Sequence, residues 1–502
     1  MVLPPQWGRD DRISRRLRLV PPQLWQGDFA PVPERAALPP LVCVSHREPY
    51  APVRSGHSVR LQRTTGGLVT ALDAALRQIG GSWIASGSNA RVMQTPDDGS
   101  GRTYEVEQVE LTARELDHYY AGFSNRVLWP LCHYFVGSVK FRPEEWTDYV
   151  RVNRRFADAV VRQLRSSEAD PPVAWVHDYH LMLVPRLIRE KLPDARIGFF
   201  LHIPFPAHEV FRVLPTGREV LEGVLGADLI GFHTRAYQEA FCEAAHRLLG
   251  ARIDHGAVVH RHHRTRTVVA PIGVDVHHHE ELGNDSRVCS QAQHLRKMLG
   301  ADSMILGVDR LDYSKGILER LAGYERLLER HPEHRGHVTL VQIAVPSRTQ
   351  VAEYRRLKRA TDEAVGRING KYGDASWTPV RYMTRSLQSV ELAAYYRAAD
   401  IALVTPVRDG LNLVAKEYVA TRTDHGGALV LSEFTGAAEE LPQAYLVNPF
   451  GPDNIADALH AALTDDRIER ERRMVALHAR VQVNDVHEWA RSFVEELVRV
   501  TH

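Results

Sequence analysis

The chain has 502 residues, 44% of them hydrophobic and 25% charged, with a formal net charge of +1. That composition belongs to a folded globular protein, and the length exceeds one compact core, so two domains of ordinary size are expected. Near-neutral charge provides no overall field for nucleic acid or an anionic membrane, and no run approaches the roughly 20 apolar residues of a membrane span.

Residues 1–40 are rich in Pro and Arg and show no period, which predicts an N-terminal arm that is at most partly ordered. The segment lacks an apolar signal core, so a cytoplasmic location is expected. The four cysteines (Cys43, Cys132, Cys242 and Cys289) are far apart with no CxxC pair, which predicts buried thiols rather than disulfides or a cysteine metal site.

From 41 onward short apolar runs alternate with helical patterns. Strands are predicted at 41–45, 81–86, 173–177, 197–202, 227–232 and 267–272. Between them, Phe156, Val160 and Leu164 recur at helical spacing. The alternation then resumes. A strand at 303–308 precedes an amphipathic helix with Ile317, Leu321, Tyr324 and Leu328 on one face, and strands follow at 338–345, 400–407 and 427–432. Short buried strands with intervening helices predict parallel sheets covered on both faces. The reading is α/β: an N-terminal Rossmann-like domain over 41–272, a second over 273–483, and a C-terminal helix over 484–502. Asn484 or Asp485 is its cap, and Trp489, Phe493 and Leu497 form its apolar stripe.

The stretch "TPVRDGLNLVAKEYV" (405–419) runs from a predicted strand into a helix beginning near Leu411. Ligands of open parallel sheets sit at the carboxyl ends of strands, where the first turn of a helix offers unpaired N–H groups to an anion. Gly410 would let a backbone come close. Asp409 suits sugar hydroxyls beside a phosphate, and Glu417, further along, suits a second polyol such as ribose. A plain helix start with an Asp cap leaves Arg408, Lys416 and Glu417 unexplained. In "GVDRLDYSKGILER", Arg310 and Lys315 follow a strand on a loop that opens a helix, a pairing that suits a diphosphate. Gly66 and Gly67 precede another helix. His177, Asp178, Tyr179 and His180 end one strand and His202 ends the next, which is the expected lining of a cleft. The histidine-rich pieces 260–264 and 277–281 fit no ordered metal motif and read as solvated loops.

Taken together, "NRVLWPLCHY", "WVHDYH", "IGFFLHIPFP", "VDRLDYSKG", "GRINGKYG", "SWTPV" and "TPVRDGLNLVAKEYV" resemble the trehalose-6-phosphate synthase family of retaining glycosyltransferases, in order and spacing, over roughly residues 41 to 500. The resemblance implies two Rossmann-like domains facing a deep interdomain cleft, the GT-B arrangement, with the last helix crossing back to the first domain. It implies transfer of glucose from UDP- or GDP-glucose to glucose 6-phosphate, without a metal or other cofactor, since the nucleotide sugar is a substrate. By residue, Arg310 and Lys315 would hold the leaving diphosphate, Asp409 and His202 would meet the donor sugar, and Gly67, Gly410 and the amides of Asn412, Leu413 and Val414 would surround the phosphate. Glu417 would bind the ribose. Arg47, Tyr120, Trp129, Tyr179 and Arg348 would form the acceptor pocket, with Arg47 and Arg348 gripping its phosphate.

Two positions depart from that family's pattern. Ser86 follows Trp83 where a second tryptophan is often found, and His46 stands where Asn is usual. "HREPY" is also similar to the glucosylglycerol-phosphate synthases, which keeps glycerol 3-phosphate as an alternative acceptor. A non-catalytic sugar-phosphate-binding regulator is the alternative of another class. The partners expected are small molecules, not nucleic acid or membrane; self-association is left open.

Overall fold

The computed structural model describes residues 38–500 apart from 56, 57, 65, 88–90, 98, 100 and 349–351. The expectation for the N-terminal arm therefore lies almost entirely outside the described residues. Pro39–His502 cluster as one compact unit.

Two sheets organise it. In the first, strands Leu229–Phe232, Arg196–Phe200, Val173–His177, Leu41–Val44, Gly81–Gly87 and Glu105–Glu110 lie side by side and parallel, in that order. The parallel strand His263–Val269 extends one edge, followed by two short antiparallel strands, and the antiparallel Val92–Gln94 closes the other. The second sheet runs Val380–Met383, Val338–Val345, Ser303–Arg310, Ile401–Val404, Ala428–Ser432 and Tyr445–Val447, all parallel. Central strands such as "VAWVH" are buried at every residue, because helices cover both faces and neither can be polar.

Predicted strands differ from the observed ones mainly at their ends. The strand expected at 400–407 stops at Val404, two residues short of Pro406, which has no N–H to give a ladder. The one expected at 267–272 is His263–Val269; residues 270–275 instead run across to the second half of the fold.

The last helix, Val486–Arg499, is capped by Asp485, whose carboxylate accepts from the His487 amide at 2.7 Å. Its apolar stripe returns to the first sheet. Phe493 stacks on Trp175 at 4.8 Å, and Trp489 lies 5.0 Å from the same ring. Gly198 and Gly231 make room for it, since a Cβ at either would sit within 2.9 Å of a Phe493 ring carbon. Where the helix begins, the chain lies against the earlier crossing: the Val486 amide donates to Val274 O at 3.1 Å, and the Val276 amide to Asp485 at 3.1 Å. The two halves are therefore joined twice, side by side.

Candidate active site

A cavity of about 690 Å³ opens between the carboxyl ends of the two sheets. The turn after Leu41–Val44 supplies Ser45, His46 and Arg47 to its wall. The ends of Val173–His177 and Arg196–Phe200 supply Asp178, Tyr179, His180 and His202. From the other half come Arg310, Arg348, Asp409, Val414 and Glu417. Parallel strands all point their carboxyl ends the same way, so loops distant in sequence meet at one mouth.

One side of the cavity is aromatic and cationic. Arg348 lies 4.2 Å over the Trp129 ring and donates to Asp312 at 2.8 Å and to the Tyr179 hydroxyl at 3.2 Å. Asp312 is fully buried and ties four groups together. It accepts from Arg348, from the Tyr354 hydroxyl at 2.9 Å, from the Ser314 amide at 3.0 Å and from Trp129 Nε1 at 3.4 Å. Arg310 lies 5.5 Å from the same Trp129 ring. Burial works to raise the Tyr120 pKa, yet Arg348, Arg47 and Arg310 outweigh it and lower it. In a chain of almost zero net charge, three arginines therefore make this pocket locally positive.

His46 is stacked 4.5 Å from Tyr120 and 4.9 Å from His180, and burial with the Arg47 charge brings its pKa down to about 3. It is a neutral wall. Asp178 holds a positive φ of 74° and accepts from the His202 amide at 3.2 Å. Burial lifts its carboxyl to about 7, against the pull of the Tyr179 and His202 amides and of Arg310 and Arg348. His202 Nε2 sits 3.1 Å from His177 Nδ1. Burial, aided by His202 for His177 and by His233 for His202, holds both rings far below the ordinary histidine range, so both are neutral.

On the other side, Lys315 and Asp409 form a buried pair at 2.5 Å. Asp409 also accepts from the Gly410 amide and from Asn412 Nδ2, each at 3.0 Å. Burial disfavours its charge, but Lys315 and these bonds prevail and lower its pKa. The helix here is Leu413–Thr421, two residues later than expected, and its cap is Asn412 in the left-handed region, accepting from the Ala415 amide at 3.4 Å. Glu417 lines the cavity, with its carboxyl pushed up by burial and accepting from the Tyr396 hydroxyl at 2.8 Å.

Not every charge in 405–419 faces the cavity. Lys416 is buried, pairs with Glu440 at 2.7 Å and donates to Ile272 O at 2.8 Å, bracing the crossing between the halves. Arg408 stacks 3.9 Å over Tyr134. Both are explained without a ligand, contrary to the sequence reading. Gly410 is also close to backbone rather than to open space: a Cβ there would lie 2.0 Å from His202 O. Gly67 lines the cavity and abuts Leu413, whose Cδ1 would be 2.5 Å from a Cβ. Gly67, Gly410 and Leu413 are thus points where the two halves touch.

The sequence reading of 277–281 as a solvated loop is corrected. These residues form the first turns of the helix Val276–Asn284, capped by Asp275, and His278 and His279 line the cavity. Asp275 before Val276 was a legible cap signal; which face met the cleft was not. The site's other unforeseen member is Asp312. Of the two departures, His46 is part of the wall, while Ser86 sits behind it and donates to His46 O at 2.6 Å; nearby Trp83 is fully buried and donates to Ser45 Oγ at 3.0 Å. All four cysteines are free, and three are buried. Among the described residues no helix is long and apolar enough to cross a membrane.

The pattern of glycosyltransferase family 20 matches residues 39–499. The chain belongs to this family. It is 44% identical over 450 residues to a trehalose-6-phosphate synthase of Mycolicibacterium smegmatis, covering 88% of each chain. It is 40% identical over 470 residues to a bifunctional trehalose-6-phosphate synthase/phosphatase of Thermoproteus tenax, covering 91% of this chain but 63% of that protein. For the UDP-forming alpha,alpha-trehalose-phosphate synthase A of Dictyostelium discoideum the identity is 38%, and the chain spans 62% of that relative's length. Among solved structures, the trehalose-6-phosphate synthase OtsA superposes with a TM-score of 0.84 at 36% identity, covering 92% of this chain and 99% of that one. A Burkholderia xenovorans alpha,alpha-trehalose-phosphate synthase in complex with glucose-6-phosphate gives 0.83 at 34% identity, covering 91% and 100%. The fold of this family-20 glycosyltransferase, two α/β halves around a cleft with a returning C-terminal helix, is that of these structures.

Proposed function

We propose that this chain is a retaining glucosyltransferase that moves glucose from UDP-glucose to the C1 hydroxyl of glucose 6-phosphate, releasing UDP and forming trehalose 6-phosphate. The observation that carries the reading is the convergence of Arg47, Arg310 and Arg348 with Tyr120, Trp129 and Tyr179 on one cavity wall, opposite the Lys315–Asp409 pair. A phosphorylated sugar needs cations for its phosphate and flat or hydroxylated side chains for its ring. Similar solved structures support the substrates: one holds glucose-6-phosphate, and another, from E. coli at 36% identity, holds UDP-2-fluoro glucose.

In this reading residues 41–272 bind the acceptor and 273–483 the nucleotide sugar. The bond from the anomeric carbon to the diphosphate oxygen breaks, and its electron pair stays on that oxygen. Lys315, Arg310 and the first-turn amides of the helix at Leu413 stabilise the new charge; each such preorganised donor is worth about 3 kcal/mol. The acceptor hydroxyl attacks from the face the diphosphate leaves, and its proton passes to the departing oxygen, so configuration is retained. Asp409 orients Lys315 and offers its free lone pairs to sugar hydroxyls. Neutral His202 cannot serve as an acid; it contributes a hydrogen bond beside the donor sugar. Glu417 takes the ribose.

The test offers UDP-, GDP- and ADP-glucose against glucose 6-phosphate and glycerol 3-phosphate, with nucleotide release and product mass as readouts. A disaccharide phosphate formed from UDP-glucose is expected. A glucosylglycerol phosphate overturns the acceptor assignment, and no product with any pair overturns catalysis in favour of a sugar-phosphate-binding regulator.

A further inference from the structure

A second cluster of titratable side chains lies away from the cleft. The helix Ile317–Arg330 starts at the cavity end of the second sheet and runs back to the opposite end, about 20 Å for its 14 residues. There the segment His331-Pro332-Glu333-His334 forms a short 3-10 turn that meets His460, near the end of the helix Pro452–Thr464. Pro332 begins that turn and sets its direction, which places His331 and Glu333 on the same side.

The distances are those of a ligand set. His331, Glu333 and His460 each offer one donor atom within 4.8 Å of the other two. His331 Nδ1 and Glu333 Oε1 are 3.1 Å apart, and the His331 and His460 rings stack at 3.7 Å. Donor atoms bound tetrahedrally at 2.0–2.1 Å lie roughly 3.3 Å apart, so the set closes once the stacked His331 and His460 rings turn out of parallel and their in-plane lone pairs converge. His334 Nε2 is 3.0 Å from His460 Nδ1 and fixes that ring, the role usually filled by a partner behind a metal-bound imidazole.

We propose that His331, Glu333 and His460 bind one divalent transition-metal cation of the zinc class, with His334 as positioning residue, and that the ion fastens the 3-10 turn to the helix Pro452–Thr464. The two-histidine, one-carboxylate set with a fourth position left for water suits zinc. The histidine-rich pieces at 260–264 and 277–281 are different residues and take no part.

The test uses the full chain without an affinity tag, stripped with chelator, dialysed and titrated calorimetrically with Zn2+, then with Co2+ while its visible bands are followed. One stoichiometric site with tetrahedral Co2+ bands is expected, along with a Zn2+-dependent rise in melting temperature. His460→Ala and Glu333→Gln should each weaken Zn2+ binding at least about tenfold and remove the thermal shift. His262→Ala, on the exposed hairpin, should leave both unchanged, and glucosyl transfer by stripped protein should equal that of loaded protein. Glu333 is exposed, so its variant folds even if His460→Ala does not. Absence of stoichiometric uptake, Glu333→Gln binding as tightly as the parent, or loss of the site in His262→Ala would each overturn the proposal.

Discussion

Lys315 and Asp409 provide the sharpest test of how the cleft works, because the proposed mechanism gives one ion pair a part in both stability and chemistry. The ammonium and carboxylate are 2.5 Å apart and each side chain is only 11% exposed. Lys315→Ala leaves a buried carboxylate without its counter-charge. Breaking such a pair costs about 3–5 kcal/mol, and the two bonds that Asp409 keeps, from the Gly410 amide and Asn412, place the loss near the lower end. Adding Asp409→Asn removes the orphaned charge, which should recover roughly 2 kcal/mol of stability, since only neutral hydrogen bonds of about 1 kcal/mol each are then missing. Turnover behaves differently. In the proposed mechanism Lys315 acts as the diphosphate departs, so its loss should lower turnover about 10²–10³-fold in the single and the double variant alike. Denaturant unfolding and UDP release, measured on both proteins, separate the two effects. If the double variant regains turnover together with stability, Lys315 only neutralises Asp409 and its assigned role is wrong.

Arg348→Ala should raise the KM for glucose 6-phosphate at least about tenfold while changing that for UDP-glucose little, since a lost charged hydrogen bond is worth roughly 1.5–3 kcal/mol; equal losses for both substrates would count against the pocket assignment. Asp178, lifted to about 7 by burial, binds its proton more tightly folded than unfolded. Its contribution to stability therefore falls as pH rises from about 4, the unfolded value, to about 7. Its ionisation places a negative charge beside Arg310 and Arg348, where the acceptor phosphate is proposed to bind, so kcat/KM for the acceptor should fall through pH 7, and Asp178→Asn should abolish that limb, leaving the substrate phosphate's own ionisation near 6. An unchanged limb in the variant would show that Asp178 is not the group titrating there. Gly410→Ala would push a methyl group to 2.0 Å from His202 O, so the halves must separate; a stability loss of about 1–3 kcal/mol and a collapse of activity are expected, read by melting and product formation.

Local pattern carried much of this protein. Continuous apolar runs such as "VAWVH" mark strands covered on both sides, and the Trp489, Phe493 and Leu497 stripe marks one buried helix face, because burial periodicity is a property of neighbours in the chain. Arg310, Asp409 and Glu417 were legible as residues of the cleft because parallel strands oblige their following loops to share one end of a sheet. Lys416 and Arg408 were misread for the same reason: a charge beside that end faces either a ligand or another part of the protein, and Glu440, Ile272 and Tyr134 are too distant in sequence to be foreseen.

What the chain order could not decide is which distant groups share a charge. Asp312 holds Arg348, Tyr354 and Trp129 at once, and His331 meets His460 across a gap of more than a hundred residues. Hydrophobic period tells which face of an element is buried, but not against what. Electrostatic partners are chosen only when two elements pack, since the strength of a pair depends on distance and burial, and both belong to the tertiary structure.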